Sequence, residues 1–154
     1  MKRLTTTTLA LTMFLVALAA SAGETKLFAQ YENTRQALLD RSLEKVQVAA
    51  RALAETARAE RQNAIAERAD ALANAANLKG ARDSFAMLSE ELIRFRDDRS
   101  GRRPDVVYCS MEKKSWLQPK GDITNPYLDA SMRSCGYIRK DRVTPPRDMP
   151  SHVH

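Results

Sequence analysis

Apolar residues recur at every third or fourth position along most of the chain, which is the period of a helix packed on one face. Between Thr25 and Asp98 there is no proline and a single glycine, Gly80. Alanine, leucine, glutamate and arginine dominate this stretch, and all four favour helix. The pattern predicts four amphipathic helices with apolar faces formed, in chain order, by Leu27, Tyr31, Thr34 and Leu38; by Leu43, Val46, Ala50, Leu53 and Ala57; by Ile65, Ala69, Leu72 and Ala76; and by Phe85, Leu88, Leu92 and Phe95.

The ends of these helices are predicted from polar and glycine residues. Asp40 is expected to cap the second helix, because its carboxylate can accept unpaired backbone amides. The apolar face shifts by one position after the second helix, which predicts a tight turn from Ala59 to Gln62. Gly80 is expected to end the third helix in a left-handed conformation. The fourth helix should end by the run Arg99–Pro104.

After Pro104 the chain becomes rich in proline, glycine and aromatic residues. Val106–Cys109 and Gly136–Arg139 are predicted to be short strands, and turns are expected between them at Pro119, Gly121 and Pro126. The sequence therefore predicts a mainly α fold: a small up-down helical bundle over residues 24–98, then an irregular Cys/Met-rich module with short strands over 104–140, packed on the bundle. A long helical hairpin is the alternative for the helical part. Residues 141–154 are expected to form a disordered tail.

The N-terminal segment is typical of a secretory signal peptide. Lys2 and Arg3 precede an apolar stretch from Leu9 to Ala20, and small residues follow at Ala20 and Ala22. The stretch is about a dozen residues long, short of the ~20 that a membrane-spanning helix needs. We therefore expect cleavage between Ala22 and Gly23 and no membrane anchor afterwards; if the source is a Gram-negative bacterium, the exported protein is periplasmic.

Charge gives little indication of a polyanionic partner. Cleavage removes Lys2 and Arg3 and no acidic residue, so the net charge falls from +6 to +4. Basic and acidic residues alternate along the helices, as on a solvated surface. A nucleic-acid partner is therefore not expected.

Two cysteines and two methionines lie in the module as two short pairs. Cys109 and Met111 are expected to point to the same side of a strand, and Met132 and Cys135 to share one face of a helical turn. Two thiolates and two thioethers are soft donors that favour Cu(I) over harder divalent ions. The set Cys109, Met111, Met132 and Cys135 is thus a candidate metal site, with Trp116 as either a lid over the ion or a core residue.

A disulfide is the main alternative, because the predicted compartment is oxidising. A Cys109–Cys135 bond would close a loop of about 26 residues and contribute on the order of 3 kcal/mol. The tail residues Met149, His152 and His154 could bind Cu(II) weakly, although an untethered histidine pair is usually only part of a tail. No Ser/His/Asp set, phosphate-binding glycine loop or Cys-x-x-Cys pair is present, so an enzyme is not expected.

The motif "VVYCSM", "SWLQ" and "GDITNPYLDASMRSCG" resembles a bacterial domain family of uncharacterised function. Members occur as exported proteins and as fusions to periplasmic adaptor subunits of heavy-metal efflux pumps, with the pattern Y-C-P-M, W-L, N-P-Y and S-M-x-x-C-G. The resemblance spans Leu27 to about Arg139, including the helix Ala81–Phe95. Ser110, Leu128 and Asp129 depart from the family pattern. The matching positions are Cys109, Met111, Trp116, Asn125, Pro126, Tyr127, Met132, Cys135 and Gly136.

The resemblance implies heavy-metal resistance and binding of copper or a related soft metal. Together with the four sulfur donors, it predicts a non-enzymatic periplasmic accessory protein that binds Cu(I). The partner it implies is a metal efflux adaptor or a periplasmic copper carrier. A disulfide-stapled structural or interaction module of the cell envelope is the second hypothesis.

Overall fold

The computed structural model describes residues 6–97 and 103–140, with side chains from Gly23 onward. Four helices are followed by a small sheet: α1 (Thr6–Leu39), α2 (Leu43–Ala59), α3 (Asn63–Ala73), α4 (Leu78–Asp97), β1 (Asp105–Cys109), β2 (Lys114–Gln118), a 3-10 turn (Ala130–Met132) and β3 (Tyr137–Ile138). The predicted fold class, a mainly α bundle followed by short strands, is confirmed. The predicted tail 141–154, with Met149, His152 and His154, lies outside the described residues.

Each helix packs against the next one in the chain, and the predicted apolar faces form the core. All four predicted residues of α1 are buried, as are Val46, Ala50, Leu53 and Ala57 of α2. Leu43 and Phe95 are half-buried against the same core. Ala76 is the exception, since it is exposed and lies between α3 and α4.

The predicted turn between α2 and α3 is confirmed, and two of the predicted helix boundaries are wrong. Ser42, not Asp40, caps α2: its hydroxyl accepts the Lys45 amide at 3.3 Å, while the Asp40 carboxylate binds the Lys45 ammonium at 2.8 Å. Gly80 does not end α3, because it lies in the first turn of α4, where its amide donates to the Asn77 side chain at 2.8 Å.

The sheet has the order β2-β1-β3, with β1 antiparallel to both neighbours. Both predicted strands exist with slightly shifted bounds, and β2 was not predicted. Val107 pairs with Trp116 on one side and with Ile138 on the other. Because β1 is central, its backbone is held along both edges.

The sheet and the bundle share one core. The Tyr31 ring of α1 stacks on Phe85 of α4 with centroids 4.9 Å apart, and Phe85 also contacts the Tyr127 ring at 6.0 Å. The Tyr127 hydroxyl donates to the carbonyl of Ser115 in β2 at 2.7 Å. The module is thus fixed to the helices by buried rings and by hydrogen bonds.

Candidate functional site: the Cys109–Cys135 pair

Cys109 is the last residue of β1, and its side chain is fully buried. It points to the same side of the strand as Val107, since residues two apart on a strand share a face. Val107 is also fully buried. The alternation of the strand therefore directs the Cys109 thiol inward, toward the loop that carries Cys135.

Asn125 holds the Cys135 loop in place. Its side-chain amide donates to the Cys135 carbonyl at 2.8 Å, and its side-chain oxygen accepts the Tyr127 amide at 2.8 Å. Its own backbone amide donates to the Arg133 carbonyl at 2.7 Å. Asn125 is fully buried, so this residue orders the loop from inside, and all three contacts fix the chain around Cys135.

Two arginines of this region anchor the loop to the helices. The Arg35 guanidinium donates to the backbone and hydroxyl oxygens of Thr124, both at 2.6 Å. The Arg133 guanidinium donates to the carbonyl of Leu39 at the end of α1. Neither contact can be predicted from the sequence, because each joins residues about ninety positions apart.

Asp129 connects the 3-10 turn to two arginines of the helical part. Its carboxylate lies 3.2 Å from the Arg41 guanidinium and 3.4 Å from that of Arg82. These contacts tie the start of the 3-10 turn to the α1–α2 connection and to α4. The Asp129 carboxylate therefore gives this turn ionic contacts to two separate parts of the bundle.

The two cysteine sulfurs lie 3.1 Å apart, and both are free thiols. The fold therefore brings the two distant cysteines together. A disulfide bond length is near 2.05 Å, so a small approach of the two sulfurs suffices for a covalent bond.

The methionines are placed differently. β1 ends at Cys109, so Met111 lies in the following turn, and the expectation that Cys109 and Met111 share a strand face is wrong. Met132 ends the 3-10 turn, and its carbonyl accepts the Cys135 amide at 3.0 Å, which agrees with a shared helical turn. Met111 is 61% exposed and Met132 is 43% exposed. The fold thus joins the thiols and leaves both thioether side chains largely at the surface.

Trp116 is a core residue. It is fully buried, its indole nitrogen donates to the Gln118 side chain at 3.0 Å, and its ring meets Tyr127 edge-on at 5.9 Å. Of the two roles left open by the sequence, the structure supports the core role. Its ring also lies against the backbone at Gly136, next to Cys135.

The thiols differ in electrostatic environment. Burial raises the pKa of Cys109, but the backbone amide of Glu112, the Cys135 thiol, the Met111 amide and the Asn125 side chain together bring this pKa below its ordinary value. The pKa of Cys135 is raised, first because its thiol is hydrogen-bonded to Cys109 and then by burial. The pair therefore favours a Cys109 thiolate that accepts a hydrogen bond from the Cys135 thiol.

The role of the backbone amides in the β1–β2 turn was not predicted from the sequence. The sequence does indicate this turn, because the polar run "SMEKK" separates two apolar stretches, "VVYC" and "SWLQ". That arrangement is typical of a hairpin. Recognising it would have located β2 and the turn whose amides face the Cys109 sulfur.

A groove of about 770 Å³ lies elsewhere on the molecule, between residues 25–32 of α1 and the end of β2. It contains none of the predicted sulfur donors. Its lining includes Phe28, Tyr31, Arg103, Pro104, Leu117 and Lys120.

Within residues 6–97 and 103–140, no cluster of three or more His, Cys, Asp or Glu side chains is arranged to hold a metal ion. No helix in the same ranges has the length and apolarity needed to cross a membrane.

No protein-family model, curated protein or solved structure matches the chain. The family resemblance therefore stays a prediction that rests on the motif.

Proposed function

We propose that this protein is a periplasmic accessory protein that binds a soft metal ion, Cu(I), in heavy-metal resistance or efflux. The observation that carries the proposal is the meeting of Cys109 and Cys135 at 3.1 Å, although 26 positions separate them in the chain. Thiolates are strong ligands for Cu(I). No catalytic activity is needed for this role.

The donor set fits a soft ion after a small opening of the pair. At a metal–sulfur distance of about 2.3 Å, two ligands of one ion lie roughly 3.8 Å apart at a tetrahedral angle and roughly 4.6 Å apart in a linear arrangement. The present 3.1 Å is shorter than both. Cys135 lies in a loop while Cys109 lies in the central strand, so the required movement belongs to Cys135.

The exposed methionines suit transfer of the ion rather than its storage. Met111 follows Cys109 by two positions and Met132 precedes Cys135 by three, so a thioether accompanies each thiol along the chain. Thioethers carry no charge and bind more weakly than thiolates. Both methionine side chains are largely exposed, so they offer weak ligands through which the ion would exchange between the cysteine pair and a partner.

The proposed compartment and the proposed partner are inferred from the sequence alone. The N-terminal segment supports export, and the motif supports a metal efflux adaptor or a periplasmic copper carrier as the partner. A carrier in the periplasm would deliver Cu(I) to such a partner by ligand exchange.

A disulfide-stapled module of the cell envelope is the second candidate, and the same 3.1 Å separation favours it. Closing the bond requires an approach of about 1 Å. The bond would join the end of β1 to the loop before β3 covalently. The two candidates differ in which oxidation state of the pair is functional.

The test is a titration of the reduced protein, residues 23–154, with Cu(I) against a chromophoric Cu(I) chelator. Cys109→Ser should weaken binding by at least about a hundredfold, which corresponds to about 2.7 kcal/mol. Met132→Leu should weaken it less, by about three- to tenfold, because a thioether contributes less than a thiolate. Met87→Leu is the matched control, since Met87 is a 51% exposed methionine of α4 outside the module, and its affinity should equal that of the wild type.

Weak Cu(I) binding that neither Cys109→Ser nor Met132→Leu changes contradicts the carrier proposal. A quantitative intramolecular disulfide that resists mild reductant would then favour the stapled module. Equal losses in Met132→Leu and Met87→Leu would remove the thioether from the proposed site and leave only the cysteine pair.

A further inference from the structure

The two thiols differ in access from solvent. The Cys109 side chain has no exposed surface, whereas the Cys135 side chain is partly exposed. The residues around Cys135 are open as well: Ser134, Tyr137 and Ile138 are exposed. A reagent from solution therefore reaches Cys135 more readily than Cys109.

The two cysteine side chains differ in how far they can turn, although the backbone is hydrogen-bonded at both positions. Cys109 ends the central strand and pairs with Lys114 of β2, so its position is set by the ladder. Cys135 lies outside helices and strands, between the 3-10 turn and β3. Its side chain can turn outward without breaking the sheet, whereas Cys109 cannot leave its position while the sheet is intact.

From this asymmetry we propose that the pair performs thiol–disulfide exchange with external thiols, in which Cys135 is the sulfur that is attacked and Cys109 is the internal leaving and resolving sulfur. The inference goes beyond metal binding and does not depend on it. The substrate class is a monothiol in the reducing direction and its disulfide in the oxidising direction.

The reaction balances in two steps. An external thiolate attacks the Cys135 sulfur of the closed pair, a mixed disulfide forms, and the electron pair of the broken bond leaves on Cys109. A second external thiolate then attacks the external sulfur of the mixed disulfide and releases Cys135 as a thiolate, which takes up a proton. In total, the protein disulfide and two thiols give two protein thiols and one external disulfide.

The reverse direction uses the same geometry. Cys135 first passes its proton to the Cys109 sulfur, then attacks an external disulfide as a thiolate; the mixed disulfide forms and one external thiolate leaves. Cys109, 3.1 Å away in the structure, then attacks the Cys135 sulfur and expels the external thiolate. Cys135 reacts with the external molecule because it is the more accessible cysteine, and Cys109 completes the reaction because its sulfur is adjacent. Accessibility and proximity both govern the rates of thiol–disulfide exchange.

The experiment uses the reduced protein, residues 23–154, with glutathione disulfide as the probe and a copper chelator present. Cys109→Ser leaves Cys135 alone and should form a glutathione adduct at least about tenfold faster than Cys135→Ser, which leaves only the buried thiol. In denaturant, where both sulfurs are accessible, the two rates should become similar. Intact-mass spectrometry of acid-quenched samples gives the rates.

The wild type supplies a test that does not depend on either variant folding. Oxidised protein is exposed briefly to limiting glutathione, quenched with acid and digested, and the mixed disulfide should be found on the peptide with Cys135. An adduct on Cys109, equal native rates for the two variants, or no exchange over hours would overturn the inference. The exchange assay detects a covalent adduct while copper is chelated. A negative result there would not argue against Cu(I) binding, and weak Cu(I) binding would not argue against thiol–disulfide exchange.

Discussion

At the scale of single residues, Gly136 is a position where a side chain would meet both an unfavourable backbone conformation and the packed core. Its φ is +149°, a conformation that side chains rarely adopt, and a Cβ there would lie 2.8 Å from the Trp116 ring and 3.1 Å from a Val107 methyl. The backbone next to Cys135 thus passes directly over the core. Gly121 also has a positive φ, +144°, but a Cβ there meets nothing within 4 Å.

Alanine substitutions at these two glycines distinguish the cost of backbone strain from the cost of a steric clash with the core. Gly121→Ala should lower the free energy of unfolding by about 1–2 kcal/mol through conformation alone. Gly136→Ala should lower it by a further 1–3 kcal/mol or so, because it also overpacks the core against Trp116. Urea denaturation of both variants checks this, and equal losses would mean that the indole moves aside at little cost.

Several residue-scale predictions depended on choosing between neighbouring candidates. Asp40 and Ser42 are both good capping residues, and Ser42 caps α2 because α1 continues to Leu39 and Asp40 and Arg41 form the turn.

Arg41 and Arg61 adopt positive φ, near 57°, in the two tight helix–helix turns. Arginine has no preference for that conformation, so only packing of the adjoining helices explains it.

At the scale of elements, the Tyr31 hydroxyl joins α1, α4 and β2. It accepts the Leu117 amide at 3.1 Å and lies 2.7 Å from the Ser89 hydroxyl. Since the Ser89 hydroxyl donates to the Phe85 carbonyl at 2.7 Å, Tyr31 donates to Ser89. The hydroxyl thereby satisfies an amide of β2 that does not pair with β1.

Tyr31→Phe should lower the free energy of unfolding by about 1–3 kcal/mol, because it leaves the buried Leu117 amide without an acceptor. Tyr137→Phe is the matched control: it removes a hydroxyl from a ring that is 56% exposed and should change stability little. Chemical denaturation at neutral pH measures both. A loss in Tyr137→Phe as large as that in Tyr31→Phe would contradict this role for the buried hydroxyl.

The same tyrosines predict a dependence of stability on alkaline pH. Burial raises the pKa of Tyr31 and of Tyr127 above the ordinary 10.0, against the lowering effect of the Ser89 hydroxyl. The unfolded chain therefore loses these protons first, and stability falls as pH rises above about 10. Each tyrosine contributes a slope of about 1.4 kcal/mol per pH unit there, so Tyr31→Phe should show a shallower decline than the wild type. Parallel curves between pH 9 and 11 would show that Tyr31 does not contribute.

At the scale of the whole molecule, the bundle and the module form one packed unit. The residues of one hydrophobic core come from both parts, including Leu88 of α4 and Leu117 of β2. Arg35 crosses the boundary, since it is 3% exposed and binds both Glu32 of its own helix and Thr124 of the module.

Two independent probes should therefore report a single unfolding transition. Trp116 is the only tryptophan and reports on the module by fluorescence, whereas far-UV circular dichroism reports mainly on the helices. Their denaturation curves should coincide. Arg35→Met should shift both curves together by about 2–3 kcal/mol through lost charge-assisted hydrogen bonds, and Arg51→Met, at an exposed position of α2, should shift neither much. Separate transitions would show that the module unfolds on its own.

The sequence by itself determined the helical class, the apolar faces and the chemistry of the sulfur donors. Helical periodicity is a local property, so the burial of Leu53 or Phe85 follows from spacing alone. The inward direction of Cys109 also follows from strand alternation once β1 is placed. The presence of soft donors in one segment needed no structure, since residue type alone defines it.

Only the tertiary structure decided how these donors are arranged. The distance between the Cys109 and Cys135 sulfurs depends on the β1–β3 pairing, on the Asn125 hydrogen bonds and on the arginine contacts to distant carbonyls. The burial of Trp116 depends on which side of the sheet faces α4, and the exposure of Met111 and Met132 depends on how the turns that carry them pack. These are long-range contacts, whose free energies are set by packing across the fold and not by the spacing of residues along the chain.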